Sequence, residues 1–124
     1  MIKYFKDNPS QSSRAVQAWQ ILISVAMNRQ TCTYKSLSNL MYGHDASGVL
    51  GGILGHIAFF CNKNNLPPLT CIVVNGKTGL PGDNIPVSED LNKLREDVYR
   101  EDWYAIYPPT ENDLKVTNTS KVIK

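Results

Sequence analysis

The sequence predicts an α+β domain of the winged helix-turn-helix type. An apolar stripe with helical spacing recurs three times before residue 62, and a run rich in β-branched side chains, Leu69 to Val74, follows. Asn75-Gly76 comes directly after that run and supplies the positive backbone dihedrals of a tight hairpin turn. Three helices followed by a β-hairpin wing are the outline of a winged helix, and we expect a C-terminal helix and an extended aromatic arm after the wing.

The first two helices are marked by N-cap hydroxyls and apolar stripes. The first is predicted from Arg14 to Met27, capped by Ser12 or Ser13, with an apolar face of Val16, Trp19, Ile23 and Ala26. Trp19 is expected to be its largest core anchor, and its main polar positions are Arg14, Gln17 and Gln20. The second is a short helix that begins after Thr33, its predicted N-cap, and ends at Gly43. Its apolar positions are Leu37, Leu40 and Met41.

The third helix is predicted from Ser47 to Cys61, with an apolar stripe of Leu50, Ile53, Leu54, Ile57, Ala58 and Cys61. It contains four glycines: Gly48, Gly51, Gly52 and Gly55. A glycine costs about 1 kcal/mol relative to alanine inside a helix, so these positions need a reason. Tight helix packing is one explanation, and close approach of the backbone to a ligand or phosphate is the other. A P-loop is excluded because no strand precedes the glycines and no Gly-Lys-Ser/Thr follows them.

The second part of the chain has its own signals. A second turn is expected at Gly79 to Asn84, and Ser88-Glu89-Asp90 starts a fourth helix that runs from Glu89 to Arg100. Trp103 to Tyr107 is predicted to be a strand or extended arm. The predicted single domain therefore divides into a polar leader (1–13), a winged-helix-like core (14–82), a C-terminal helix and arm (83–117) and a mobile tail (118–124).

Composition limits the classes of protein. The longest apolar run is far shorter than a membrane span and the start lacks the apolar centre of a signal peptide, so we expect a cytoplasmic protein. Three widely spaced cysteines, Cys32, Cys61 and Cys71, indicate reduced thiols, and no metal-ligand pattern or other cofactor motif is found.

The charge is distributed unevenly. Residues 1–82 hold seven basic and two acidic side chains, a net charge of +5, whereas residues 83–124 hold six basic and nine acidic side chains, a net charge of −3. A basic first part is compatible with an anionic partner, although an average soluble surface carries as much charge. The acidic second part would block DNA binding if it folded over the basic part.

Four short motifs follow one another between residues 18 and 79: Thr33-Tyr34 at the second helix, Ala46 to Gly51 at the start of the third, Leu66 to Val74 at the predicted strand, and Asn75-Gly76 at the turn. In this order they resemble the second helix, recognition helix, active-site strand and wing of the C-terminal DNA-binding domain of the O6-alkylguanine DNA alkyltransferases and the alkyltransferase-like proteins. This resemblance implies a winged helix that binds DNA.

The chain departs from the family at the residues that carry the chemistry. Leu69 stands where the alkyl-accepting cysteine belongs, Thr70 replaces its histidine, and Ser47 or Gly48 replaces the arginine that occupies the gap of a flipped base. Cys71 has no evident base to form a thiolate. We therefore predict no catalytic residue and no alkyl transfer. Of the two histidines, His56 either lines a groove or is a half-exposed structural residue.

The sequence thus favours a non-enzymatic protein that binds nucleic acid, duplex DNA in the first place, as a small regulator. At the start of the second helix the backbone N–H groups favour a phosphate, and Lys77 in the wing reaches a second one. The predicted binding residues are Thr33, Tyr34, Lys35, Ser47, Lys63, Asn75, Lys77 and Thr78. Alternatively, Tyr34 packs in the core and the lysines are only solvated.

The other functional hypothesis is a protein-interaction module, such as an inhibitor or immunity-type partner, on the same scaffold. Its contact surface would be the aromatic arm, because aromatic anchors concentrate binding energy at interfaces. The residues in question are Trp103, Tyr104, Ile106 and Tyr107.

Overall fold

The computed structural model describes residues 1–7, 9–80 and 90–115. This part of the chain is α+β, as predicted. Its helices are α1 (Gln11–Met27), α2 (Tyr34–Tyr42), α3 (Leu50–Lys63) and α4 (Leu91–Arg100), and its strands are β1 (Cys32–Thr33) and β2 (Val73–Val74). Short 3₁₀ turns occur at Phe5–Asp7, Ser47–Val49, Leu69–Ile72 and Trp103–Ala105.

Helix α1 begins three residues earlier than predicted. Its N-cap is Ser10, whose hydroxyl oxygen accepts a hydrogen bond from the Ser13 N–H at 3.2 Å, so Ser12 and Ser13 lie inside the helix and are buried. The cap lies closer to the N-terminus than predicted because Ser10 is the first hydroxyl residue in a run of polar residues that all tolerate a helix. Part of the predicted leader is therefore structured.

The core forms where α1 packs against α3. All six apolar positions predicted for α3 are buried: Leu50, Ile53, Leu54, Ile57, Ala58 and Cys61. Trp19 of α1 makes edge-to-face contacts with Phe60, at 5.5 Å between ring centroids, and with Trp103, at 5.6 Å. Such pairs add about 0.5–1.5 kcal/mol beyond the burial itself. The predicted stripe of α3 and the anchor role of Trp19 are confirmed.

Helix α2 is confirmed with both its ends. The Thr33 hydroxyl oxygen accepts the Ser36 N–H at 3.0 Å, and Gly43 ends the helix in the left-handed region at φ +80°. Leu37 and Met41 are buried, whereas Leu40 is 66% exposed.

The predicted strand from Leu69 to Val74 is mostly not a strand. Leu69–Ile72 forms a 3₁₀ turn, and only Val73 and Val74 are extended. They pair in parallel with β1, in the register Cys32 with Val73 and Thr33 with Val74. The run is apolar because every residue in it is buried, and a fully buried turn has the same composition as a buried strand.

The chain does reverse after β2, but with a different turn from the one predicted. The Asn75 N–H donates to the Leu80 carbonyl and the Gly79 N–H donates to the Asn75 carbonyl, both at 2.8 Å. The positive φ, +68°, lies at Gly79 and not at Gly76, because the turn has four residues between its ends. The predicted second turn lies partly outside the described residues. The predicted hairpin is not formed, because a strand returning from Asn75-Gly76 would begin at Lys77, and residues 77–80 contain no strand.

Helix α4 and the aromatic segment close the fold. Asp90 caps α4 by accepting the Asn92 N–H at 3.0 Å, and the predicted start at Ser88 and Glu89 lies outside the described residues, as does the tail 118–124. The predicted extended arm is wrong at its start, because Trp103–Ala105 is a 3₁₀ turn that buries Trp103 completely. The indole N–H donates to the Val98 carbonyl at 2.7 Å, which fixes the ring under α4.

Candidate nucleic-acid interface

The two strands bring the start of α2 beside the turn that follows β2. Thr33 ends β1 and caps α2, and it pairs with Val74, the last residue before the turn. The Thr33 methyl carbon lies 3.7 Å from the position that a Cβ atom on Gly76 would occupy. The described fold therefore joins two sequence-distant sets of predicted residues, which we call the α2–turn face: Thr33, Tyr34, Lys35, Asn75, Lys77 and Thr78.

The start of α2 offers backbone donors and a positive charge. Its first turn contains no acidic residue, and Lys35 in that turn is exposed. Helix N-terminal N–H groups and the helix dipole favour an anion at this place. Tyr34 is half-buried and packs against the core, so its ring serves the fold and leaves the polar groups of Thr33 and Lys35 at the surface.

The turn is shaped by its own side chains. The Asn75 carbonyl oxygen Oδ1 accepts the Lys77 N–H at 2.8 Å and the Thr78 N–H at 3.4 Å. The Thr78 hydroxyl oxygen accepts the Leu80 N–H at 3.2 Å. Asn75 and Thr78 thus hold the turn that presents the exposed Lys77.

Lys35 and Lys77 are the available cations of this face. Within residues 1–7, 9–80 and 90–115, neither forms an ion pair. Asp45 interacts with one of them, Lys35: a hydrogen bond from the Ser47 backbone N–H, at 3.1 Å, and in smaller part the charge of Lys35 lower the pKa of the Asp45 carboxyl group.

The carboxylates of helix α4 are paired with other cations. Glu96 pairs with Arg29 at the end of α1 and, at 3.0 Å, with Arg100 of its own helix, and hydrogen bonds from these two arginines lower the pKa of Glu96. Lys93 pairs with Asp97 at 3.5 Å. The α4 carboxylates that form ion pairs therefore neutralise other cations than Lys35 and Lys77.

Ser47 and Lys63 lie apart from one another. Ser47 is half-buried in the 3₁₀ turn that leads into α3, next to α2. Lys63 is the last residue of α3, whose 14 residues span about 20 Å. Its charge acts on Asp113 and lowers the pKa of that carboxyl group, after the hydrogen bonds from Thr110. Lys63 is thus not joined to the α2–turn face.

The glycines of α3 divide into two kinds. A Cβ on Gly52 would lie 2.4 Å from the Gln11 side-chain nitrogen, so packing against α1 accounts for this glycine, and Gly55 is buried. Around the corresponding positions on Gly48 and Gly51 there is no heavy atom within 4 Å. Close packing in the described fold therefore does not explain Gly48 and Gly51, which are exposed next to Ser47.

Two arginines have roles that the sequence did not reveal. Arg14, expected on the polar face of α1, is buried, donates to the Met41 carbonyl at 3.0 Å and lies 4.1 Å from the centre of the Tyr42 ring. It is therefore not an external cation. Arg95 of α4 donates to the Gly79 carbonyl at 2.7 Å. Sequence spacing gives no signal for either contact, since the partners are carbonyl groups far along the chain.

Burial governs the environment of the three cysteine thiols and of His56. Burial raises the pKa of Cys32 to about 11 and those of Cys61 and Cys71 to about 12, so these thiols are protonated at neutral pH. His56 is only 8% exposed, more buried than predicted, and its Nε2 lies 3.3 Å from the Gln11 Oε1. Among the described residues, no three His, Cys, Asp or Glu side chains are grouped as metal ligands would be.

The aromatic contact surface is not as predicted. Trp103 belongs to the core and Ile106 is half-buried against it, because the 3₁₀ turn directs them inward. Tyr104 and Tyr107 are 59% and 92% exposed. Only these two tyrosines of the predicted set lie mainly at the surface.

None of the helices that the structure describes has the length and apolar character needed to cross a membrane. No protein-family model matches the chain, and no match is found among the curated proteins or the solved structures.

Proposed function

We propose that this chain is a non-enzymatic nucleic-acid-binding protein that contacts the phosphates of duplex DNA through the α2–turn face. The observation that carries the proposal is the parallel pairing of Thr33 with Val74, which places a helix N-terminus with Lys35 beside a turn that presents Lys77. Both lysines are exposed and form no ion pair with another described residue.

The chemistry of this face suits phosphate better than base edges. Lysine and helix N–H groups bind phosphate oxygens and fix a protein on the duplex without reading its sequence. Gly48 and Gly51, at the start of the predicted recognition helix, offer no side chain that could reach a base. The proposed binding therefore depends on charge and shape and discriminates weakly between sequences.

The proposal is tested by fluorescence anisotropy with labelled duplex and single-stranded DNA at low and moderate salt. We expect duplex binding that weakens steeply with salt, and a Lys35→Glu/Lys77→Glu variant that loses it. Loss of two phosphate contacts lowers the slope of log K against log salt by about two.

A Lys63→Glu/Lys115→Glu variant is the matched control, because it changes the net charge by the same amount at two exposed lysines outside the α2–turn face. It should retain most of the affinity. Equal loss in both variants would show attraction by net charge alone, and no binding by the wild type at low salt would refute the proposal.

A protein-interaction module is the second candidate, and the exposure of Tyr107 and Tyr104 is the observation that favours it. Tyrosine is enriched among the residues that dominate interface energies. Such an interface should depend weakly on salt and be impaired by Tyr104→Ala/Tyr107→Ala. Pull-down with that double variant and the wild type distinguishes it from phosphate binding.

A further inference from the structure

Arg95 joins α4 to the segment that carries Lys77. Its terminal nitrogen Nη2 donates to the Gly79 carbonyl at 2.7 Å, and its Nε donates to the Cys71 carbonyl at 3.5 Å, the outer limit of a hydrogen bond. Cys71 lies just before β2 and Gly79 at the end of the turn. One guanidinium group therefore holds both ends of the segment 71–79.

The helix that carries Arg95 is itself anchored. Tyr99 of α4 donates its hydroxyl proton to the Gln30 carbonyl at 3.1 Å, and Glu96 pairs with Arg29, so α4 is attached to the end of α1. Val98 is fully buried beneath the helix. Because α4 is held in this way, the Arg95 guanidinium group restrains the turn. Its planar N–H donors fix both the direction and the length of the hydrogen bonds to the turn.

We propose that Arg95 is a positioning residue, which holds the turn so that Lys77 stands beside the start of α2 and binds nucleic acid there. The inference rests on the proposed function. In this proposal the acidic second part of the chain supports the α2–turn face. Helix α4 contacts the turn through the positively charged Arg95, whereas its carboxylates Glu96 and Asp97 form ion pairs with other residues.

The test compares Arg95→Met and Arg95→Lys with an Arg100→Met control in the full chain. Arg100 lies on the same helix, is exposed, and pairs with Glu96 instead of the turn. Amide hydrogen exchange is followed at Asn75 and Gly79, the donors of the two turn hydrogen bonds. We expect both Arg95 variants to exchange about tenfold faster at these amides, the loss expected for one charge-assisted hydrogen bond, while the control exchanges as the wild type does.

DNA affinity is measured on the same proteins by anisotropy. Arg95→Lys keeps the charge but not the fork of donors, so it should weaken binding about as much as Arg95→Met. In a double-mutant cycle, Arg95→Met and Lys77→Met should be non-additive, because each removes the contribution of the same lysine.

Additive losses, or an Arg95→Lys variant that binds like the wild type, would overturn the positioning role in favour of a simple charge effect. Unchanged exchange at Asn75 and Gly79 would overturn it independently of any DNA measurement. If the wild-type protein binds no DNA, both the proposed function and a role of Arg95 in binding are refuted. Faster exchange in the Arg95 variants would then still show that Arg95 restrains the turn.

Discussion

The starts of α1 and α2 look alike in sequence and differ in the fold. Each helix has a hydroxyl N-cap and no acidic residue in its first turn. At the start of α1 lies a carboxylate that is distant in sequence: Glu111 accepts hydrogen bonds from the Ser10 hydroxyl at 2.8 Å and the Ser12 hydroxyl at 3.3 Å. At α2 the first turn instead carries an exposed lysine, Lys35.

The difference shows which helix start gains from an outside anion. A negative charge at a helix N-terminus contributes about 0.3–1 kcal/mol. Glu111 provides that charge to α1 from within the molecule, and α1 is thereby tied to the C-terminal segment. The first turn of α2 contains no such acid, which is consistent with the proposed phosphate site.

The largest expected effect comes from removing Trp103, the buried residue of the C-terminal segment that also contains Glu111. Trp103→Ala should lower the free energy of unfolding by about 3–5 kcal/mol, because a fully buried indole leaves a cavity and the Val98 carbonyl loses its donor. Urea unfolding measures it. Tyr107→Ala, at a 92% exposed site, should change stability by no more than about 0.5 kcal/mol; similar losses in both variants would place Trp103 outside the core.

Removing the anion itself has a smaller effect. Glu111→Ala should destabilise the fold by about 1–2 kcal/mol, because α1 loses a favourable charge and the Ser10 and Ser12 hydroxyls lose their acceptor. Glu101→Ala is the control, since that carboxylate accepts no hydrogen bond from the described residues. Thermal or urea unfolding that leaves the Glu111 variant as stable as the control would contradict the comparison.

A pH dependence is expected at the same helix start through His56, which contacts Gln11. Burial lowers the pKa of His56 below its ordinary 6.5, an effect that the nearby backbone of Leu114 partly offsets. The unfolded chain therefore takes up the proton first, so this contribution to stability is complete above pH 6.5 and is lost as the pH falls toward the folded-state pKa.

Unfolding by urea above and below that pH measures the effect. His56→Gln should remove this part of the pH dependence, whereas His44→Gln, at an exposed residue, should keep it. A wild type whose stability does not fall between the two conditions would count against a neutral, buried His56.

The smallest effects concern the glycines of α3. Gly51→Ala should raise stability by about 0.5–1 kcal/mol, because its Cβ meets open space and alanine favours the helix. Gly52→Ala should gain less or lose, since its Cβ would displace the Gln11 side chain from His56. The two melting temperatures, compared directly, check this order, and equal gains would mean that Gln11 moves at no cost.

Local patterns predicted much of the fold. The cap of α2 at Thr33, its end at Gly43 and the buried stripe of α3 are confirmed, because hydroxyl caps, left-handed glycines and helical periodicity act within a few residues. The hairpin failed for a related reason. A buried apolar run such as Leu69 to Val74 has no periodicity that separates a strand from a turn.

The sequence by itself determined that helices occupy these parts of the chain, the cap and end of α2, and the buried stripe of α3. Only the tertiary structure decided that β2 pairs with β1, that Glu111 lies at α1, and that Arg95 reaches Gly79. Each of these contacts joins residues that are many positions apart, often through a backbone carbonyl that every residue possesses. No local pattern encodes such a partner, because the choice is made by how the helices pack against one another.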